Sequence, residues 1–227
     1  MDIMIGSCNG LACFSKSNKD VQSVPFLVCN PLTGESILLP YNKLKYYTRT
    51  RITCGRLASG FGYCPLTDDY KFVTIYYCHE ERKGHVHVYT VGGHEWRFIG
   101  FVGYHRFEHS TGIYANGTLY WLHQRDHDEV VAFDLEGEKF RSIPMPRYEN
   151  FENKNGFLRF RRKLLGGNNN LYLAHMYHHA GSADIWVYKE HDINADDASY
   201  AMKKVQSETK RPQRKFVMLD ERVQYTG

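Results

Sequence analysis

The stretch NPLTGESILLP, Asn30 to Pro40, starts with a polar residue, passes through a Gly-Glu pair and continues as an apolar strand ending in proline. The stretch FDLEGEKFRSIP, Phe133 to Pro144, repeats this plan further along the chain. Glycine adopts positive φ at no steric cost, as a hairpin turn between two twisted strands requires. The sequence therefore predicts a hairpin turn that recurs in a repeated fold, and not a loop that binds a ligand.

A second set of glycines gives the length of the repeat. In four places an Asn or Gly immediately precedes a short apolar strand, at Gly10, Gly62, Gly117 and Gly167. These glycines are 52, 55 and 50 residues apart, and a period of about 50 residues is typical of propeller arrays and closest to the kelch period. We therefore predict an all-β, antiparallel, propeller-like fold of kelch-like modules. The 227 residues hold about four and a half modules, so we expect a small or incomplete ring.

Composition supports this fold class and limits the kinds of partner that we expect. The chain has 17 Tyr, 13 Phe and 19 Gly, which favour strands joined by tight turns. A net charge of +4 is too balanced to call for nucleic acid as a partner. The sequence has no signal peptide pattern and no apolar stretch long enough to span a bilayer. We expect no membrane or nucleic-acid partner and a cytoplasmic or nuclear location.

The modules predict a domain boundary near residue 195. Residues 1–195 form the propeller-like domain, and residues 196–227 form a polar, basic, partly disordered tail. Within that tail KFVMLDERVQY could return as a strand. The three tryptophans, Trp96, Trp121 and Trp186, lie in or beside module strands, where they are expected to fill space between blades.

Residues capable of chemistry do not form a recognisable site in the sequence. The six cysteines lie in the first 78 residues without a CxxC pair, so we expect buried free thiols. His85 and His87 lie on one side of a strand, but no third ligand follows at a defined spacing. Asp68 and Asp69 have the context of a turn, and neither a G-x-S-x-G elbow nor a P-loop is present. We expect no catalytic residue, metal or cofactor.

Seven motifs in order resemble one family: GSCNGLACF (6–14), VCNPLTGESILLP (28–40), GFGYCPLTDDYKFV (60–73), VYTVGGHEWRFI (88–99), ANGTLYWL (115–122), VVAFDLEGEKFRSIPMP (130–146) and DIWVYKE (184–190). The set resembles the plant F-box-associated interaction domain, the propeller-like substrate-binding module of F-box proteins. The resemblance implies that an F-box unit docks on the adaptor of a cullin-RING ubiquitin ligase while this domain presents a substrate. The chain starts at the first β motif, so we expect adaptor docking only if an F-box lies upstream. The tryptophan-bearing strand that usually follows IWVYK has no clear counterpart in DDASYAMKKVQ.

Three connections between strands, the first of them between modules one and two, have the composition of a protein-binding surface. YNKLKYYTRTRITCGR, GYHRFEHS and HQRDHDE combine tyrosines, arginines and histidines, and Tyr and Arg are enriched at interface hot spots. The candidate partner-binding residues are Tyr46, Tyr47, Arg49, Arg51, Tyr104, His105, Arg106, His123 and Arg125. The sequence thus predicts a protein-binding module that recognises the substrate of an F-box protein through its loops. Two alternatives stay open: a propeller enzyme or carbohydrate-binding module, and a truncated, non-functional member of the family.

Overall fold

The computed structural model describes residues 2–16, 26–42, 57–77, 83–103, 111–122, 129–146, 160–167, 169–177, 182–188 and 203–207. Every regular element in these residues is a β-strand. The described part of the chain contains no helix that could cross a membrane.

Within the described ranges, sixteen strands form four antiparallel sheets of four strands each, in chain order. Blade 1 contains β1 (Asp2–Cys8), β2 (Leu11–Lys16), β3 (Phe26–Cys29) and β4 (Ser36–Leu38). Blade 2 contains β5 (Leu57–Cys64), β6 (Asp69–Tyr77), β7 (Gly84–Thr90) and β8 (Arg97–Val102). Blade 3 contains β9 (Ile113–Ala115), β10 (Thr118–Leu122), β11 (Glu129–Asp134) and β12 (Lys139–Pro144). Blade 4 contains β13 (Phe160–Gly167), β14 (Asn170–Tyr177), β15 (Ser182–Tyr188) and β16 (Lys203–Ser207).

This arrangement is a four-blade β-propeller, and the predicted all-β, antiparallel fold class is confirmed. Strand β16 pairs with β15 and completes blade 4. It fills the place for which the sequence offered no clear counterpart, and it contains no tryptophan. It lies within the segment 196–227 that the sequence assigned to a tail; the stretch KFVMLDERVQY lies outside the described residues.

Three hydrophobic cores hold the blades together, one at each junction between consecutive blades. The core between blades 1 and 2 includes Val28, Phe26, Phe61 and Phe72. The core between blades 2 and 3 includes Ile75, Val88, Leu119, Trp121 and Phe133. The core between blades 3 and 4 includes Tyr120, Val130, Leu171 and Leu173. Among the described residues no comparable core joins blade 4 to blade 1.

The tryptophans fill space between blades, as predicted. Trp121 is almost fully buried in the core between blades 2 and 3, where its Nε1 donates a hydrogen bond to the Ser59 carbonyl at 3.2 Å. Trp96 packs against the core between blades 1 and 2, and its Nε1 donates to the Pro40 carbonyl at 2.7 Å. Trp186 packs against the core between blades 3 and 4.

The stretch Asn30 to Pro40 forms a hairpin turn, as its sequence predicts. The Gly34 amide donates to the Asn30 carbonyl at 2.9 Å, and the Asn30 side chain accepts from the Leu32 amide at 3.0 Å. Gly34 has a φ of 76°, and Gly92 has a φ of 88° in the corresponding turn of blade 2. Both values lie in the left-handed region that glycine enters without steric cost.

Three glycines of the predicted rhythm do not supply the left-handed residue of their turn. Gly167 is the last residue of β13, and Asn169 has the positive φ, 58°. Gly62 lies inside β5 and not at a turn, and a Cβ there would lie 2.6 Å from Cδ2 of Tyr114, so the glycine allows close packing of blades 2 and 3. The left-handed residue of the β5–β6 turn is Asp68, with a φ of 56°. In the β11–β12 turn the left-handed residue is Glu138, one position after Gly137.

Candidate functional site

The two edges of the propeller differ in their connections. On one edge, here called the turn edge, short turns join consecutive strands at 9–10, 30–35, 65–68, 91–96, 116–117, 135–138 and 168–169, and one longer connection, 189–202, joins β15 to β16. On the opposite edge, here called the loop edge, the odd-numbered strands begin and the even-numbered strands end. Its connections are 17–25, 39–56, 78–83, 103–112, 123–128, 145–159 and 178–181. Long surface connections on a rigid scaffold are common sites of binding in proteins.

All nine predicted partner-binding residues belong to connections of the loop edge. Tyr46, Tyr47, Arg49 and Arg51 belong to the connection 39–56; Tyr104, His105 and Arg106 to 103–112; His123 and Arg125 to 123–128. These nine residues lie outside the described residues, so their role stays a prediction. The strands that flank them are described, and their ends point these three connections to the same edge of blades 1, 2 and 3.

Three of the four described cysteines are buried as the sequence predicts. Cys8, Cys13 and Cys64 are buried free thiols, and Cys29 is half-buried. Burial raises the pKa of the Cys8 and Cys13 thiols to about 12. Because the thiolate is the reactive form, these two residues are poor nucleophiles and poor metal ligands at neutral pH. They contribute to the core between blades 1 and 2.

The described residues contain no group of three or more His, Cys, Asp or Glu side chains that could hold a metal ion. His85 and His87 do lie on one face of β7, as predicted, but both contact aromatic rings. Asp68 lies in its predicted turn, where its carboxylate accepts a hydrogen bond from the Tyr63 hydroxyl at 2.6 Å.

A partly buried charge network joins blades 2 and 3 near the turn edge. The Lys71 ammonium donates to the Leu135 carbonyl at 2.6 Å and to Glu138 Oε1 at 2.9 Å. Arg97 donates to both carboxylate oxygens of Glu138, at 2.6 and 3.0 Å. Burial alone would raise the pKa of Glu138, but the hydrogen bonds and charges of Arg97 and Lys71 outweigh it and hold that pKa below 4.5. The network is a structural link between blades.

An exposed aromatic cluster near the loop edge was missed by sequence reasoning. It consists of Tyr76, His85, His87, Phe98 and Phe101 on one face of blade 2, and we call it the aromatic platform. Phe98 is 51% exposed and Phe101 is 56% exposed. Phe98 and Phe101 are three residues apart, so regular strand alternation would place them on opposite faces. Gly100, a glycine inside the strand with a φ of 129°, is the sequence signal for the bulge that brings them together.

Comparisons with known proteins identify the family. No curated protein sequence matches the chain. A solved structure described as the complex of the fission yeast SREBP-SCAP binding domains is 14% identical with a TM-score of 0.34, and the match covers 91% of this chain. This chain spans about half of that one (54%), and at this TM-score the fold assignment does not rest on the likeness. The family model of the F-box associated beta propeller domain matches residues 2–218. The chain therefore belongs to the F-box associated β-propeller domain family.

Proposed function

We propose that this chain binds a protein substrate through the loop edge of its propeller and acts as the substrate-recognition domain of an F-box protein in an SCF-type ubiquitin ligase. Membership of the F-box associated propeller family supports a role as a protein-interaction module. The ligase adaptor is a partner when an F-box accompanies the domain in the full-length gene product. The domain carries no chemistry of its own and requires no cofactor.

One structural observation carries the proposal. The described strands end so that the connections 39–56, 103–112 and 123–128 leave blades 1, 2 and 3 on the same edge. These connections contain all nine predicted partner-binding residues. Tyrosine and arginine provide large contact areas and charged hydrogen bonds at interfaces, and a partner contacts several loops at once when they share an edge. Between the described strands, the turn edge has one connection longer than six residues, 189–202, and it contains none of these nine residues.

Affinity capture from native extract tests this proposal. The bait is the whole chain, beside a variant with Tyr46→Ser, Tyr47→Ser, Arg49→Ser and Arg51→Ser. We expect proteins captured by the wild-type chain to be lost with this loop variant. Leu32→Ser is the matched control, because Leu32 is 93% exposed in a turn on the opposite edge. Equal recovery by the loop variant and the wild-type chain would contradict the proposed interface.

The ligase role needs a separate measurement. The full-length gene product should co-purify with the adaptor and cullin of the ligase, and the amount of its captured substrate should rise when the proteasome is inhibited. Capture of a stable partner whose level does not respond to proteasome inhibition would leave a binding domain without a role in ubiquitin transfer.

A further inference from the structure

We propose that the aromatic platform of blade 2, together with Lys83, binds an extended acidic segment of a partner protein that carries a large apolar side chain. The inference rests on the proposed function, since it assigns a specific surface and a chemical class of ligand to the protein-binding role. The platform and the loop edge are altered by different substitutions, so a loss of binding at the platform can be told apart from a loss of binding at the loop edge.

A β-bulge in the outermost strand of blade 2 creates the platform. His87 is paired with Phe98 and Val86 with Gly100, so Ile99 is the extra residue in β8. The bulge reverses the alternation after Phe98, and Phe101 therefore lies on the same face, opposite His85. Ile99 packs on the other face, against the core between blades 2 and 3. Bulges re-aim side chains and are common next to functional sites.

The rings of the platform contact one another, and the two phenylalanines remain open to solvent while Tyr76 is buried. Phe98 and Phe101 have centroids 5.2 Å apart, nearly perpendicular, and His85 lies 4.8 Å from Phe101 in the same geometry. His87 lies 5.3 Å from Phe98. Phe98 and Phe101 are the exposed phenylalanines among the described residues. An exposed pair of mutually packed aromatic rings is a preformed surface, because ordering these side chains costs little further entropy on binding.

The charge near the platform specifies the ligand. The Lys83 ammonium lies 5.4 Å from the centroid of Phe101. Partial burial, and secondarily the charge of His85, lowers the pKa of His87 to about 4, so this ring is neutral at pH 7. The described strands of blade 2 contain one acidic residue, Asp69, which is paired with Cys64 on the other face. Within the described strands of blade 2 no carboxylate lies on the platform face, so the platform combines apolar rings with a cation, and an acidic segment with an apolar side chain complements it.

The position of the platform favours an extended segment. Strand β8 is the outermost strand of blade 2, so one backbone edge beside Phe98 and Phe101 has no partner strand among the described residues. An extended peptide can lie along such an edge and place alternate side chains on the platform. The chain continues from Phe101 through Gly103 to Tyr104, so the platform is continuous with a connection that contains three predicted partner-binding residues.

Selection from a phage-displayed library of random short peptides tests the proposal, with the whole folded chain as the target. We expect enriched sequences in which Asp or Glu flanks Leu, Phe or Trp. A labelled synthetic peptide of the enriched sequence should bind the Phe98→Ser, Phe101→Ser double variant at least about tenfold more weakly in fluorescence anisotropy, the loss typical of aromatic hot spots. Leu66→Ser, at a residue 73% exposed on the turn edge, should bind as the wild type does.

A charge reversal keeps the test decisive even if the double variant folds poorly. Selection on Lys83→Glu should enrich peptides in which Lys or Arg flanks the apolar residue. Enrichment of the same acidic peptides on Lys83→Glu would overturn the assigned chemistry. Self-association of the wild-type chain that disappears in the double variant, measured by sedimentation, would instead make the platform an interface between two copies and overturn the proposal.

The two proposals fail in different ways. If the double phenylalanine variant retains every partner captured from extract while the loop-edge variant loses them, the platform has no role and the proposed function stands. If the wild-type chain captures no partner, the proposed function fails.

Discussion

The charge network between blades 2 and 3 predicts a large effect from one isosteric change, Glu138→Gln. The change removes the carboxylate charge but keeps the shape of the side chain. The Lys71 side chain is 8% exposed and the Glu138 side chain is 17% exposed, so the ammonium would lose its counter-charge in a site largely closed to water. Removal of one partner from a buried ion pair typically costs about 3 to 5 kcal/mol.

Two features reduce this cost. Lys71 keeps its hydrogen bond to the Leu135 carbonyl at 2.6 Å, and Arg97 is half exposed, so its loss of a partner is compensated by water. We therefore expect Glu138→Gln to lower the free energy of unfolding by about 2 kcal/mol. Lys71→Met removes the buried charge as well, so the double variant should be more stable than the sum of the two single changes implies, by about 1 kcal/mol or more.

Urea titration followed by tryptophan fluorescence measures both values, because Trp121 is buried between the same two blades. A loss of about 2 kcal/mol corresponds to a midpoint shift of about 1 M urea. The pKa of Glu138 is lowered in the folded state, so its contribution is present above pH 4.5 and is lost as the pH falls below that value. An unchanged midpoint for Glu138→Gln at pH 7, or strict additivity in the double variant, would refute the reasoning.

Two further predictions concern blade 2. The pKa of His87 is lowered from 6.5 to about 4, chiefly by burial and then by His85, so the unfolded chain takes up the proton at a higher pH than the folded one, and the free energy of unfolding should fall as the pH falls from 6.5 to 4. After allowance for solvent screening of this partly exposed ring, we expect a loss of about 1 to 2 kcal/mol. An equally steep pH dependence of stability in His87→Gln would contradict this expectation. Gly62→Ala should lower the free energy of unfolding by about 1 to 3 kcal/mol because its Cβ would lie 2.6 Å from Tyr114, whereas Gly103→Ala, with no atom within 4 Å, should leave the thermal midpoint unchanged.

The fold was predictable because its turns carry a local signal. Gly34 and Gly92 occupy left-handed positions that glycine favours, so their recurrence reported the blade period directly. Gly62 gave the same signal for another reason, since close packing against Tyr114 also requires the absence of a Cβ. A single sequence cannot separate these two uses of glycine. The left-handed residue of the β5–β6 turn is Asp68, whose sequence context predicted the turn but not the positive φ.

The candidate site was predictable only in part. Tyrosines and arginines in long connections, such as Tyr46 and Arg49, are visible in the sequence as a composition, and the strand ends assign their connection to an edge. The aromatic platform depends on the register shift between Val86 and His87. Gly100 inside RFIGFV is compatible with a bulge, but a glycine alone does not give the position of the extra residue, which is set by pairing between β7 and β8. Regular alternation places Phe98 and Phe101 on opposite faces, so strand pairing is needed to place both on the platform.

The position of the platform separates binding from stability. Blade 2 packs on both neighbours, since Phe72 contributes to the core with blade 1 and Ile75 to the core with blade 3. These two cores fix β6 and β7, and hence the backbone that carries His85 and His87. Phe98 and Phe101 project from the outermost strand and keep half of their surface in water, so they add little to either core. Because a rigid scaffold presents side chains that the scaffold itself does not need, substitutions at Phe98 and Phe101 should weaken partner binding while the unfolding midpoint stays close to that of the wild type. The converse holds for Gly62→Ala, which should lower stability while the binding of peptides to the folded chain is retained.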